Sequence, residues 1–363
     1  MRSDIGNAVR ITVFGESHGP CIGAVIEGLP AGHKIDFEFM LSQMDRRAPG
    51  RDKSTTSRKE SDTPEVLSGV LNGVTTGAPL ALIIKNSNTK SDDYDNLMVN
   101  PRPSHSDYAA YVKYDGMNDV RGGGHFSGRL TAPIVALGAI CKSILKENGI
   151  TVGGHISSIG TVSDIPFDSV HVSADKLNAL QNEFFALNDK SAEAAMRDEI
   201  ENARMNLDSV GGIVELAAVG MPAGVGNPMF MGVENVIANI LYGIPAVKGV
   251  SFGRGFEYGL LRGSEANDDM YYDEHGVVRT YTNNCGGITG GITNGMPIIV
   301  KAALKPTPSI AQNQKTVNLR TGENESLSIE GRHDPCIVAR ALPALEAAFA
   351  IGLLDLLRTE GKI

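Results

Sequence analysis

At 363 residues the chain can form one large domain or two or three smaller ones, and 42% hydrophobic with 21% charged residues is an ordinary balance for a globular protein. The formal net charge of −9 argues against a general nucleic-acid binder, which would carry a basic surface. Cys21, Cys141, Cys285 and Cys336 form no CxxC pair, which points to a reduced, cytosolic protein rather than a disulfide scaffold.

The N-terminal stretch MRSDIGNAVRITVFGESHG places charges where a signal peptide needs an apolar run. Alternation of Ile11 and Val13 with polar neighbours predicts a strand over 10–14. The continuous apolar run at 80–84 predicts another, buried on both faces. Between them, DRRAPGRDKSTTSRKESD (45–62) carries Arg46, Arg47, Arg51, Lys53, Arg58 and Lys59 among turn-forming residues, the pattern of a mobile basic loop. Long apolar runs predict helices over 130–145 and 337–357. Lys142 interrupts the first, Glu346 and Asp355 the second, so neither reads as a membrane span. The segment 173–205 is polar with sparse apolar anchors and reads as peripheral helix. Over 233–241, Val236/Ile240 and Ile237/Leu241 pair four apart opposite Glu234, Asn235 and Asn239, and Gly243 and Pro245 end that helix.

The two halves of the chain resemble each other. GPCIGAVIEGLPAG (19–32) matches GGIVELAAVGMPAG (211–224), and SGVLNGVTTGAPLAL (68–82) matches GGITGGITNGMPIIV (286–300). GRLTAP (128–133) and VARALP (338–343) each lead into a long apolar helix. Chance in a glycine-rich chain accounts for one match, whereas three in order predict an internal duplication about a pseudo-twofold axis, with a ligand cleft between the halves. The expected organisation is a single α+β domain over 1–363, its similar halves at about 1–165 and 206–363 joined by a polar helical segment, 166–205.

The stretch VRGGGHFSGR (120–129) sets three glycines before a predicted helix start, a backbone cradle suited to an anion. Gly123 and Gly128 have the spacing of a nucleotide P-loop, but Arg129 and Leu130 stand where Lys and Ser/Thr are needed. The 45–62 run reads as a solvated loop or as a lid whose guanidiniums grip phosphate and carboxylate. It holds no aromatic residue to stack on a base. FGESHG (14–19) puts Ser17 and His18 at a strand's carboxyl end, PRPSHSDY (101–108) presents Arg102 and His105, and GRHDPC (331–336) presents Arg332, His333 and Asp334 ahead of the last helix. Loops mixing Arg, His and Asp beside glycine or proline fix acid–base groups near an anion. No HExxH or cysteine pair supports a metal, and Ser17 lacks the GxSxG elbow of a hydrolase. On these residues alone an enzyme acting on a phosphate-bearing substrate, a small-anion or nucleic-acid binding module, and a nucleotide phosphotransferase all stay open.

Taken together, the loops resemble the chorismate synthase family. The pieces TVFGESHG, MDRRAPGRDKSTTSRKESD, LSGVLNGVTTGAPLALIIKN, PRPSHSDY, VRGGGHFSGR, AVKGVSFGRGF, NCGGITGGITNG, KPTPSI and GRHDPC lie in the family's order from residue 12 to about 340. The resemblance implies a β-α-β sandwich subunit with internal pseudo-symmetry, assembled as a cytoplasmic homotetramer with no nucleic-acid or membrane partner. It implies the loss of phosphate and a proton from 5-enolpyruvylshikimate 3-phosphate to give chorismate, with reduced FMN required despite no net redox change. NADPH or a separate flavin reductase would supply the electrons, and the lack of a dinucleotide fingerprint leans toward the second.

Carried over by motif, His18 would be the acid near the leaving phosphate, His105 a proton donor beside the flavin, and Asp334 the base at the C–H bond. Ser17, Arg47, Lys53, Arg102, Arg129 and Arg332 would hold phosphate and carboxylates. The flavin would be gripped by His125, Phe126 and Ser127, by Pro245 and Ala246, by Gly290, by Lys305, Pro306, Thr307, Pro308 and Ser309, and by Arg332. His125 and Phe126 replace the arginine and serine common in the family. Lys53 stands where many relatives have arginine, keeping the charge but losing the fork.

Overall fold

The structure is a computed structural model and describes residues 3–50, 62–86, 97–329 and 334–363. In chain order come β1 (Asp4–Ile5), β2 (Arg10–Gly15), β3 (Cys21–Glu27), α1 (Phe37–Arg47), β4 (Glu65–Ser68), β5 (Val70–Leu71), β6 (Val74–Thr75), β7 (Leu80–Lys85), α2 (Asp107–Lys113) and α3 (Thr131–Glu147). They are followed by β8 (Thr151–Ile159), β9 (Val162–Ser163), α4 (Ala174–Leu180), α5 (Glu193–Met205), β10 (Gly212–Val219), α6 (Val233–Tyr242), β11 (Val247–Phe252) and α7 (Gly263–Ala266). The remainder is β12 (Met270–Tyr272), β13 (Val278–Thr280), β14 (Ile288–Thr289), β15 (Ile292–Thr293), β16 (Ile298–Leu304), β17 (Gln314–Val317), β18 (Asn324–Leu327) and α8 (Val338–Thr359).

Two antiparallel sheets of five strands, ordered β1-β2-β3-β7-β4 and β11-β16-β10-β8-β9, enclose a layer of helices. Within that layer α3 packs on β3 and β7, α8 packs on β8 and β10, and the two helices pack on each other beside α1 and α6. The fold is therefore α+β, a β-α-β sandwich. The matched sequence segments take equivalent places in it. β3 pairs with β7 as β10 pairs with β16, and a two-stranded hairpin, β5–β6 or β14–β15, precedes β7 and β16 respectively.

The reason for the two apolar helices lies in their surroundings: a helix covered on every side is apolar all round rather than along one stripe. At Gly138 of α3, an added Cβ would stand 2.3 Å from the Ala347 Cβ of α8, so the helices meet at backbone contact and only glycine fits. Beside this crossing a carboxylate is buried. Arg46 donates to both oxygens of Glu346 (2.8 and 3.3 Å), and Lys142 donates to Oε2 at 2.6 Å and to the Gln43 and Gln181 side-chain oxygens. Burial works against the Glu346 charge, but Arg46 and Lys142 hold it below the usual carboxylate range. Lys142, the second cation on one anion, is pushed down to about 8 by burial despite Glu346.

The structure corrects three expectations. Arg46 and Arg47 do not belong to a loop: they form the last turn of α1, N-capped by Asp36, and both are buried because Glu346 and Asp62 neutralise them. Arg51, Lys53, Arg58 and Lys59 lie outside the described residues. The 80–84 strand runs to Lys85 and is sealed on one face only, with Leu80, Leu82 and Ile84 buried while Ala81 and Ile83 are half-buried. The 173–205 segment is two helices, α4 and α5, joined through a 3₁₀ turn at Lys190–Ala192. It is less peripheral than its polarity suggests, since Leu177, Leu180, Met196 and Ile200 are buried against the outer face of β8.

Under that covering lies His155, fully buried, with Nδ1 2.8 Å from Asp164 and Nε2 2.9 Å from Glu215. Both carboxylates only accept, so the ring donates from both nitrogens and is the imidazolium. Desolvation alone would lower its pKa, but the hydrogen bonds and charges of Asp164 and Glu215 outweigh it and the pKa is raised above 6.5. A raised folded-state pKa contributes stability that is complete below the unfolded value and is lost as pH rises through the folded one. His155→Asn should therefore cost about 3–5 kcal/mol near pH 6, and its difference from wild type in urea unfolding should shrink as pH rises above neutrality. A difference constant from pH 6 to 9 would contradict the ionic assignment.

Candidate active site

The glycines of the 120–129 stretch form a 3₁₀ turn over Arg121–Phe126 in which Gly122, Gly123 and Gly124 have φ of 58°, 86° and 52°. All three are left-handed, a backbone that side chains strain. The space around them explains the need further. An added Cβ at Gly122 would lie 2.3 Å from His18 Cε1 and 2.7 Å from Ser17 Oγ, and one at Gly123 would lie 3.5 Å from the His105 ring. This loop is the surface against which Ser17, His18 and His105 pack. The Ser17 N–H also donates to the Gly124 carbonyl at 3.1 Å.

From that loop a circuit of contacts can be followed. Asn86, just past β7, donates to the Glu16 and Gly19 carbonyls on either side of Ser17 and His18, and accepts from Arg129 Nε at 2.6 Å. Arg129 donates to Asp62 Oδ1 at 2.7 Å, and Asp62 Oδ2 accepts from Arg47. Arg47 Nε reaches Thr131 Oγ1 at 3.1 Å in the first turn of α3. Arg340, in the first turn of α8, donates to the Arg47 carbonyl at 3.1 Å and to the Asp334 carboxylate. Thr307 Oγ1 donates to the Asp334 carbonyl at 3.1 Å, and two residues on, Ser309 Oγ accepts from Arg102 at 3.3 Å. Arg102 adjoins His105, which closes the circuit at Gly123.

Asp107 organises the last corner. It accepts from Arg102 N, Nε and a terminal nitrogen at 3.0, 2.7 and 2.8 Å, and from His105 Nδ1. Burial favours the neutral acid, but Arg102 and His105 outweigh it and hold Asp107 well below the ordinary carboxylate range. An ionised Asp107 only accepts, so His105 carries its hydrogen on Nδ1 and keeps Nε2 toward Gly123. The contact between Arg102 and Nδ1 is then proximity, not a hydrogen bond.

The candidate cofactor residues divide. Lys305 donates to the Ser104 carbonyl through Nζ and to the Ala246 carbonyl through its N–H at 3.0 Å, so 245–246, 305–309 and the His105 loop lie together. Burial lowers the pKa of Lys305. Ser104 and Ala246, both touching Lys305, have left-handed φ of 59° and 74°, strain of about 1–3 kcal/mol each. His125 turns elsewhere: its ring bonds the Gly15 carbonyl and Ser3 Oγ, each at 2.8 Å, while Phe126 is partly exposed and Ser127 caps the turn before α3 through the Arg129 N–H. Gly290 occupies the β14–β15 turn ahead of β16, whereas Lys305 directly follows that strand. Lys53 and Arg332 lie outside the described residues.

Sequence reasoning missed Asp62, Asn86 and Arg340, and left Asp107 without a role. Asp62 and Asn86 stand at the ends of recognised motifs, but a single carboxylate or amide has no spacing that names its partner.

The class this architecture describes is an α+β protein with acid–base and anion-binding side chains gathered where two central helices begin. The chorismate synthase family model matches residues 9–357. The chain is 47% identical over 358 residues to the chorismate synthase of Methanocella arvoryzae, spanning 99% of this chain and 95% of that protein. It is 46% identical to that of Thermococcus kodakarensis, spanning 96% of each. A solved structure, the crystal structure of a chorismate synthase, superposes with a TM-score of 0.76 at 29% identity, covering 98% of this chain and 93% of the other. The chain belongs to the chorismate synthase family, and it is an enzyme, a carbon–oxygen lyase acting on a phosphate ester.

Gly122→Ala would force a Cβ into Ser17 and His18. It should cost about 1–2 kcal/mol of stability through its left-handed backbone, yet lower chorismate formation by roughly a hundredfold through displacement of the loop. Melting temperature and turnover measured on the same preparation separate the two effects.

Proposed function

We propose that the enzyme converts 5-enolpyruvylshikimate 3-phosphate to chorismate and phosphate by a 1,4-elimination that requires reduced FMN. The observation that carries this reading is the circuit just described. Four arginines, two histidines and Asp334, drawn from separate stretches of sequence, meet around the beginnings of α3 and α8. An elimination of this kind breaks a ring C–O bond and an unactivated ring C–H bond, leaving a new double bond, and needs both ends of the reaction served at once.

At the C–O end, His18 would give a proton to the departing phosphate while Arg47 and Arg129 offset its charge, with Ser17 donating a further hydrogen bond. At the C–H end, Asp334 would take the ring proton, its carboxylate oriented by Arg340. Arg102, oriented by Asp107, would hold a substrate carboxylate in a bidentate grip. Lys53 and Arg332 complete the anion-binding set in this reading.

The donor set fits a phosphate-bearing cofactor: Lys305, Thr307 and Ser309 supply a cation and two hydroxyls on one loop, against the strained carbonyl-bearing residues Ser104 and Ala246. Pro245, Pro306 and Pro308 stiffen that surface, and His125, Phe126, Ser127, Gly290 and Arg332 remain proposed flavin contacts. Reduced FMN supplies electron density toward the substrate when bound. His105, its Nδ1 engaged by Asp107, would hold a proton at Nε2 on the flavin side.

We further propose a cytoplasmic homotetramer, its flavin reduced by a separate reductase or by NADPH, and two structural halves at about 1–165 and 206–363. Self-association is supported by Phe230, Phe256 and Leu260, which are 85%, 92% and 86% exposed, apolar side chains that a partner would cover.

The test is anaerobic: purified protein, reduced FMN and 5-enolpyruvylshikimate 3-phosphate should yield chorismate and free phosphate in equal amounts, and no product would sink the reading. Asp334→Ala should slow turnover roughly tenfold or more while FMN still binds. Lost flavin binding with unchanged single-turnover chemistry would remove Asp334 from the role of base.

A further inference from the structure

Asn86 lies beyond the last residue of β7 and uses every hydrogen-bonding group on its side chain. Its Nδ2 donates to the Glu16 carbonyl at 3.0 Å and to the Gly19 carbonyl at 2.8 Å, while Oδ1 accepts from Arg129 Nε at 2.6 Å. The orientation of the amide follows from its partners: carbonyl oxygens only accept and a guanidinium only donates, so the reversed amide would lose all three bonds. The Asn86 main chain adds a fourth contact, its N–H donating to the Pro20 carbonyl at 3.1 Å.

These contacts join two elements far apart in sequence. Glu16 and Gly19 close a turn of their own, Gly19 N–H to Glu16 carbonyl at 3.1 Å, and that turn carries Ser17 and His18, both buried. Arg129 sits in the 3₁₀ turn that leads into α3. One planar amide therefore bridges the His18 turn and the Arg129 guanidinium directly.

We propose that Asn86 is a positioning residue for the elimination, holding His18 and Arg129 so that both meet the same leaving phosphate. The inference rests on the roles given above to His18 and Arg129. A phosphate dianion departs most readily when proton donor and cation act together, and a displacement of about 1 Å costs on the order of a hundredfold in rate. No substrate atom need touch Asn86, because its effect passes through the two groups it ties.

Two variants separate the two ties. Asn86→Ala removes all three side-chain bonds. Asn86→Asp is of the same shape and keeps an acceptor for Arg129, but loses both donors and sets a carboxylate against two carbonyl oxygens. Each is assayed anaerobically with reduced FMN for kcat and for KM toward 5-enolpyruvylshikimate 3-phosphate, alongside FMN affinity and thermal unfolding. Both should lower kcat by roughly tenfold or more, and Asn86→Ala should in addition raise KM by about tenfold because Arg129 loses the Nε tether while keeping Asp62. FMN affinity should stay within about threefold of wild type.

A folded variant of either kind with wild-type kcat and KM overturns the proposal. So does a loss of folded protein in which the remaining molecules keep both constants, since that is a purely structural role. Should wild-type protein itself make no chorismate, the parent reading fails on its own, and the crystal structure of Asn86→Ala decides the positional claim. The 16–19 turn and the Arg129 guanidinium found in unchanged positions would then overturn it; their separation would support it.

Discussion

The crossing of α3 and α8 governs the rest of the molecule. Gly138 against Ala347 lets the helix backbones touch, and the helices lie between two sheets that would otherwise have no common core. That contact leaves no room for side chains to slide, so the beginnings of both helices are fixed relative to each other. Arg129 and Thr131 stand at one beginning and Asp334 and Arg340 at the other, so the candidate site inherits its geometry from the core. The buried Glu346 cluster adds direction to this packing. It draws Arg46 of α1 and Lys142 of α3 onto one carboxylate of α8, a geometry that a purely apolar seam would not specify. Arg47, the next residue of α1, is thereby delivered to the site.

An acidic protein has here assembled a local concentration of cations, and it has done so by assigning each arginine a carboxylate. Asp62 holds Arg47 and Arg129, Asp107 holds Arg102, and Asp334 accepts from Arg340. Buried guanidiniums without such partners would be costly. With them, the forks stand oriented before any anion arrives, and binding loses less entropy in ordering them. The same carboxylates offset the charge of the guanidiniums they hold.

Part of the backbone strain lies at the same candidate site. Gly122, Gly123 and Gly124 take left-handed conformations without penalty, and they allow the histidines to approach the main chain. Ser104 and Ala246 take such conformations with a penalty, and both give their carbonyls to Lys305. A backbone held this way by its surroundings is pre-arranged rather than adaptable.

Much of this was legible in the chain itself. Long apolar runs predicted α3 and α8 to within about two residues, because a fully buried helix has no continuous polar stripe to confuse its limits. Ordered motifs identified the family, and the three internal matches fall on β3, β7, β10 and β16, which pair β3 with β7 and β10 with β16, and on the starts of α3 and α8. Local pattern misled where a distant partner decides the outcome. Arg46 and Arg47 looked like loop residues because Glu346 is 300 residues away and nothing marks Asp62 among the charges of 45–62 as a partner, and 173–205 looked peripheral because its few apolar anchors gave no hint of β8 beneath them. The motif alone gives His125 a flavin contact, whereas in the structure its ring bonds Gly15 and Ser3. The sequence by itself determined the residue types of the site and the elements that present them, since both depend on neighbours within a few positions. Only the tertiary structure decided that Glu346 takes Arg46, that Asp62 takes Arg129 and that Asn86 ties His18's turn to Arg129, because those bonds join groups 43 to 300 residues apart and depend on three-dimensional proximity alone.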